Sequence, residues 1–367
     1  RLQSANATLR AVNLAALWPQ APVTQLHGTL QAGPISGGAG TAGSEGWSLQ
    51  AALRNDLPGP WDTTRLPLTA LDASASYDGT RWTVPSATLQ AGTGSITAQG
   101  HYTPATQALE GQATLRALRP DALHTLLAAA PLSGRVTAQT QGEAVRFSAD
   151  VRADTGTAAR ATTTKTTAAA GAPLRINTFS TQGTWQAADG STVRLDRLLL
   201  DALQARVEAT RLQVTLGTQS AQGKVTLAVP GATAQAQGTL APRSGAGDLQ
   251  VQWADAALTR RWLAGLPVLG TAVQRALQGA SAQGTAQITA RWKGGWQTLT
   301  EQLQTATTHS AAARNPDRFD LQATLNTPQL DLTLPASTNA SGGTTAGQAL
   351  QLRAFKAELG GNLAQAT

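Results

Sequence analysis

Histidines are the first residues to test for metal binding or acid–base work, and the chain has four, His27, His101, His124 and His309, none of them close enough in sequence to form a local ligand pair. The run Gly38-Ala39-Gly40-Thr41-Ala42-Gly43 has the glycine spacing of a dinucleotide loop. Such a loop needs a strand before it and a helix after it, whereas Gly, Ala and Ser surround this one. The carboxylates Asp317 and Asp320 sit beside arginines in a polar stretch, with no apolar setting to drive their pKa values apart as paired acid and base work requires. The sequence contains no nucleophile elbow and no phosphate-binding loop. With Cys absent, disulfides and thiolate metal sites are excluded. The residue types therefore predict no catalytic residue, no metal and no cofactor.

What does recur is period-two alternation, which marks strands with one apolar and one polar face. Val145, Phe147 and Val151 alternate with Arg146, Ser148 and Asp150, and Leu212, Val214 and Leu216 alternate with Arg211, Gln213 and Thr215. Val225, Leu227 and Val229 follow, then Leu249 and Val251 with Trp253, Ile288 with Trp292, Leu321 with Phe319 and Leu325, and Leu332 with Leu330 and Leu334. Gly, Asp and Asn punctuate these runs, as in Tyr77-Asp78-Gly79 and Ala188-Asp189-Gly190, which predicts antiparallel hairpins. The apolar positions named are the candidate ligand-facing residues. By alternation alone a packed core is the favoured reading of them, ahead of a ligand-facing surface.

Hydrophobic residues make up 41% of the 367 residues but aromatics only 4%, and much of the apolar share is alanine, which buries little area per residue. That supply suits a thin sheet better than a thick globule. The formal charge of +7 would permit nucleic-acid binding, but Arg146, Arg194, Arg211 and Arg291 stand singly between apolar residues, without basic runs or interleaved aromatics, so none is expected. Helical pattern is confined to connectors at 120–130 and 256–277, both too short or too charged to span a membrane. Three low-complexity stretches, 33–46, 154–173 and 335–347, read as loops between strands. With connectors of the type Leu14-Ala15-Ala16-Leu17-Trp18-Pro19 recurring at unequal spacing, the chain divides into β modules at 1–117, 118–255 and 256–367. Trp18, Trp61, Trp292 and Trp296 fall at strand ends or connectors, where packing roles are expected. Starting at Arg1 and lacking Met, the chain is read as an internal section of a longer one.

The stretch Asn55-Asp56-Leu57-Pro58-Gly59-Pro60-Trp61-Asp62 followed by Arg65-Leu66-Pro67-Leu68 resembles the N-x-x-P-G-P-x-D…R-L-P-L signature of the TamB family of bacterial envelope proteins. Gly92 to Gly100, Leu118-Arg119-Pro120-Asp121-Ala122-Leu123 and Trp292-Lys293-Gly294-Gly295-Trp296 resemble further family elements in the same order. The resemblance implies a mainly β, elongated, trough-shaped, antiparallel-rich sheet with short helical crossovers, in the periplasm as part of a protein anchored in the inner membrane. It implies a TamA-type outer-membrane barrel as partner. Its clients would be phospholipid acyl chains moving between the membranes, or nascent outer-membrane and autotransporter proteins. The competing readings are a parallel β-helical adhesin or autotransporter passenger and, behind it, a carbohydrate-active enzyme, which would need paired carboxylates beside exposed aromatics.

Overall fold

The computed structural model describes residues 4–35, 46–154, 173–266, 271–299, 319–334, 337–338, 344–345, 347–362 and 365–366. The Gly38–Gly43 run, His309, Asp317, Pro267 and most of the three low-complexity stretches lie outside them. The chain forms two compact units, one of residues 1–163 and 173–185, the other of 164–172 and 186–367.

The first unit is a meander. Strands β1 (Ala5–Val12), β2 (Leu26–Pro34), β3 (Trp47–Asn55), β4 (Ala70–Tyr77), β5 (Trp82–Ala91), β6 (Gly94–Thr103), β7 (Ala108–Leu118), β8 (Leu132–Gln141) and β9 (Ala144–Ala153) each pair antiparallel with the next in sequence, and β10 (Ile176–Gln186) joins β9. The second unit repeats the plan. It runs through β11 (Thr192–Ala202), β12 (Ala205–Thr215), β13 (Ser220–Val229), β14 (Ala232–Leu240), β15 (Gly245–Trp253), β16 (Ser281–Lys293) and β17 (Asp320–Leu334). A ribbon of β18 (Ser337–Thr338) and β19 (Thr344–Thr345) precedes β20 (Gln348–Asn362), which pairs with β17, and β21 (Gln365–Ala366) touches only the end of β20. The fold class expected from the sequence is thus present: mainly β, antiparallel, with few short helices. Within each unit the sheet is open, neither closed nor curled. Its antiparallel ladders differ from the parallel coils of a β-helix.

Turn chemistry explains the hairpins. Between β4 and β5 the Asp78 carboxylate accepts from Thr80 N and Oγ1 and from Arg81 N at 2.7–2.8 Å, and Tyr77 stacks on Trp82 with centroids 4.9 Å apart. The turn expected at Ala188-Asp189-Gly190 takes the form of a single helical turn, α2 (Ala188–Ser191), which follows α1 (Leu14–Leu17) in the chain. The helix expected at 120–130 shortens to a 3-10 turn at Pro120–Ala122. The 256–277 connector does form two helices, α3 (Ala256–Ala264), capped by Asp255 Oδ1 accepting from Leu258 N at 2.9 Å, and α4 (Thr271–Gly279).

Burial gathers towards one end of the strands in each unit, although Ala209, Ala286, Ala290 and Thr327 are buried well inside their strands. In the first unit Leu26, Asn55, Ala91, Leu118 and Leu132 are buried, all at the strand ends where the β2–β3–β4 connectors and the Pro120 turn pass. In the second unit Ala232, Ala256, Thr259 and Leu330 form the rim beside α3. Asn55 ties the first rim together: Oδ1 accepts from Gln25 N and Leu57 N, and Nδ2 donates to Leu66 and Leu68 carbonyls, at 3.0–3.3 Å. Asp62 adds a latch, accepting from the Thr125 hydroxyl and from Thr125 N at 3.1 Å.

The buried Asn55 leaves several backbone groups unpaired if truncated, so Asn55→Ala should lower the unfolding free energy by about 2–4 kcal/mol in urea titration. Hydrogen bonding from the Thr125 hydroxyl holds the Asp62 carboxyl below its usual range. Its stabilising contribution is therefore complete above the unfolded-state pKa and is lost as pH falls through the folded one. Asp62→Asn should lower stability at neutral pH by that contribution and so flatten the acid limb of the stability–pH curve, with little change below the folded-state pKa.

Candidate functional site

Cross-strand register turns the alternation into a surface. In the first unit Leu53, Leu71, Leu89, Ile96 and Leu115 stand opposite one another from β3 to β7, and the row continues through Gly134 to Val151. Beside it runs a row of small residues, Ala51, Ala73, Ala87, Ala98, Ala113, Val136 and Ala149. Trp47, Tyr77, Trp82 and Tyr102 make an aromatic row towards the far strand ends. Phe147, opposite Ala138, and Val145, opposite Thr140, belong to this apolar face. The other face carries rows such as Asp72, Thr88, Thr97, Thr114, Arg135 and Asp150.

The second unit is built the same way. Val207, Leu227, Ala234, Val251, Ile288 and Leu325 form one row, and Ala209, Val225, Ala236, Leu249, Ala290 and Ala323 the next. Val229 pairs with Ala232 and Leu332 with Leu350 on the same face. Trp292, opposite both Gly247 and Leu321, lays its ring over Gly247, where an added Cβ would come within 2.3 Å of it. Thirteen of the fourteen candidate residues lie in strands of the two apolar faces.

Leu216 is the exception. β12 ends at Thr215, and Leu216 sits in the following turn, 57% exposed. Plain alternation also fails within β12: Arg211 has φ 52°, and the β12–β13 register shifts between Thr210 and Gln213, so Val207 and Ala209 share their face with Leu212 and Val214. Comparable register shifts at Ala11 and Ala117, and the positive φ of Ala354, produce the apolar pairs Leu9/Val12, Leu115/Leu118 and Leu352/Phe355. The signal was present as apolar residues spaced by three within otherwise alternating runs.

Among the described residues, neither face of the sheet within either unit is covered by a second sheet layer. Among the described elements, strands pack beside their ladder neighbours, and the helix that packs on the sheet is α3, against β16. Most residues of the apolar rows are half-buried, Ala209 and Ala290 are buried within them, and of the candidates only Val151 is buried. The depressions in the sheet surface, about 660 Å³ around Gln99, His101, Glu110 and Arg146 and about 920 Å³ around Lys224, Asp248, Arg291 and Glu358, are lined chiefly by polar-face side chains. Against the expected packing roles, Trp18 and Trp61 are 64% and 54% exposed, and Trp296 is also exposed.

Titratable groups form structural contacts. His27 pairs with Asp56 at 3.3 Å, His124 lies 3.7 Å from Asp62, and His101 contacts Thr83 Oγ1 at 3.3 Å. No three His, Cys, Asp or Glu groups converge as a metal site among the described residues. Asp62, Asp78, Asp121 and Asp331 all have lowered pKa values, held down by hydroxyl, arginine or backbone donors. A general acid needs the opposite shift. The arginines of the alternating runs, Arg146, Arg194, Arg211 and Arg291, are exposed, and Arg291 pairs with Asp248 at 3.1 Å. Comparison with known protein families, characterised proteins and solved structures gives no match.

The uncovered face and the buried rim should respond differently to truncation. Leu227→Ala should cost about 1 kcal/mol, the share of a half-buried leucine. Leu330→Ala, under α3, should cost about 3 kcal/mol because it leaves a cavity. Equal losses by chemical denaturation would show that Leu227 is covered in solution.

Proposed function

We propose that this chain is a section of a TamB-like periplasmic protein, part of a chain anchored in the inner membrane, whose apolar sheet faces carry phospholipid acyl chains between the inner and outer membranes. The observation that supports this reading is a single-layer sheet with one continuous apolar face left uncovered in each unit. Contiguous exposed apolar surface on this scale marks an interaction surface. An acyl chain laid on it recovers about 0.8 kcal/mol per CH₂ withdrawn from water, a gain that depends on area and not on a specific polar anchor. The bilayer offers the same chain a comparable environment. A conduit needs only to match it, and rows of Leu, Val, Ile and Ala do so without a selective site.

A TamA-type barrel is the outer-membrane partner this reading requires. Nascent outer-membrane or autotransporter proteins remain its second client class, because β1 and β20 end the ladders of their units and offer edges for strand addition.

Register makes the test sharp. Photo-crosslinking residues placed singly along β12 in a Gram-negative envelope should label phospholipid at 207, 209, 212 and 214. Positions 208, 210, 211 and 213 should label little, and the phase of labelling should invert across Arg211. Labelling in unbroken alternation would contradict the bulge. Equal labelling of both faces, or protein adducts alone on the apolar face, would remove the lipid reading.

A further inference from the structure

Where α3 and α4 meet the apolar face, the second unit contains a cavity of about 590 Å³ whose character differs from the open rows around it. Its walls are apolar: Trp253 and Ala282 from the sheet, Leu263 from α3, Leu277 from α4, and Leu332 and Leu350 from β17 and β20. Arg260 is the one charged residue that lines it. The guanidinium is anchored by Nη1, which donates to the Leu277 carbonyl at 2.7 Å. Its Nε is buried and has no hydrogen-bond partner among the described residues, and no carboxylate there pairs with it.

That combination is unusual within this chain. Arg119 and Arg152 each use the Nε/Nη2 edge to hold an aspartate in a two-point contact. Arg260 has no carboxylate partner among the described residues, and its side chain lines an apolar cavity. A half-buried cation without a carboxylate partner favours an anion there, and a planar guanidinium matches the two oxygens of a carboxylate.

We propose that this cavity binds one long-chain fatty-acid anion, its chain along Leu263, Leu277, Leu332 and Leu350 and its carboxylate on the Arg260 guanidinium. A single cation balances a single negative charge, whereas a phosphomonoester carries about −1.5 to −2 at neutral pH. The volume lies within the roughly 300–1,000 Å³ of small-ligand sites. The inference rests on reading the apolar face as an acyl-chain surface and adds to it a site selective for the head group.

Binding of laurate to the full chain, measured by titration calorimetry beside dodecyltrimethylammonium and lysophosphatidylcholine, tests it. Laurate should bind with one site per chain and more tightly than the other two probes. Arg260→Gln should weaken laurate at least tenfold while leaving dodecyltrimethylammonium unchanged, and Arg260→Lys should recover part of the loss. Ala282→Phe, which fills the cavity and keeps the cation, should weaken both probes. Circular dichroism of each variant separates misfolding from lost binding, and Ala282→Phe tests the site without touching the arginine. Laurate affinity indifferent to Arg260→Gln, or tighter binding of the cationic or zwitterionic probe, would overturn the proposal. The two readings fail separately: loss of face-specific phospholipid crosslinks along β12 with Arg260-dependent laurate binding intact removes the conduit and keeps the cavity, and the reverse result removes only the cavity.

Discussion

The nearest-neighbour antiparallel ladder constrains everything else in this molecule. Each strand has its own apolar and polar side, but only the pairing register decides whether Leu71 meets Leu89 or Thr88, and a slip of one residue would mix the two faces. Because successive strands pair with each other, the rows of one strand are carried to the next, from Leu53 to Val151 in the first unit and from Val207 to Leu325 in the second. The bulges do not break this continuity. At Leu195/Leu212 and Leu198/Ala209 the two partner strands change phase together, so the apolar side stays apolar across the irregularity.

The composition then explains why the sheet can remain a single layer. Alanine fills every second row on much of the apolar face, and a row of methyl groups presents too little area to hold a second layer against the entropy of ordering it. Stability is drawn from the ladders, from α3, which covers Ala286 and Leu330, and from the rim, where Asn55 satisfies the chain around Leu66 and Leu68. Part of the sequence that carries the family resemblance, the stretch 55–68, belongs to this rim. Asn55, Asp62 and Gly59 hold turns and connectors, and Gly59 has no room for a side chain beside Arg65. Their roles are structural, and the proposed work of the molecule lies on the strands between them.

An uncovered apolar face and an arginine-lined cavity would serve different ends on one sheet. The face discriminates little, because dispersion and water exclusion act on any hydrocarbon. The cavity would discriminate by charge, because the Arg260 guanidinium is held by the Leu277 carbonyl and has no carboxylate partner among the described residues. Polar-face ion pairs such as Arg291 with Asp248 and Arg353 with Asp331 are exposed and contribute little to stability. They keep that face wet, which fixes the side on which hydrocarbon can lie.

The sequence by itself determined the fold class, most strand positions and the apolar identity of Val145, Phe147, Leu227, Leu249, Val251, Ile288 and Leu321, because period-two alternation is a local property of a strand. It also located α3 and α4, through the helical pattern over 256–277. Tertiary structure alone decided the rest. Alternation over Leu212, Val214 and Leu216 runs past the end of β12, since where a strand stops depends on its partner, here β13 beginning at Ser220. The phase change at Arg211 needs the opposing Gly223 to be recognised as a bulge. Whether an apolar face is a core or a surface is likewise invisible in one strand, because it depends on whether another layer arrives to cover it. The Arg260 cavity lay further still from the sequence: it joins residues from Trp253 to Leu350, brought together only when β20 pairs with β17 and the two helices fold back on the sheet.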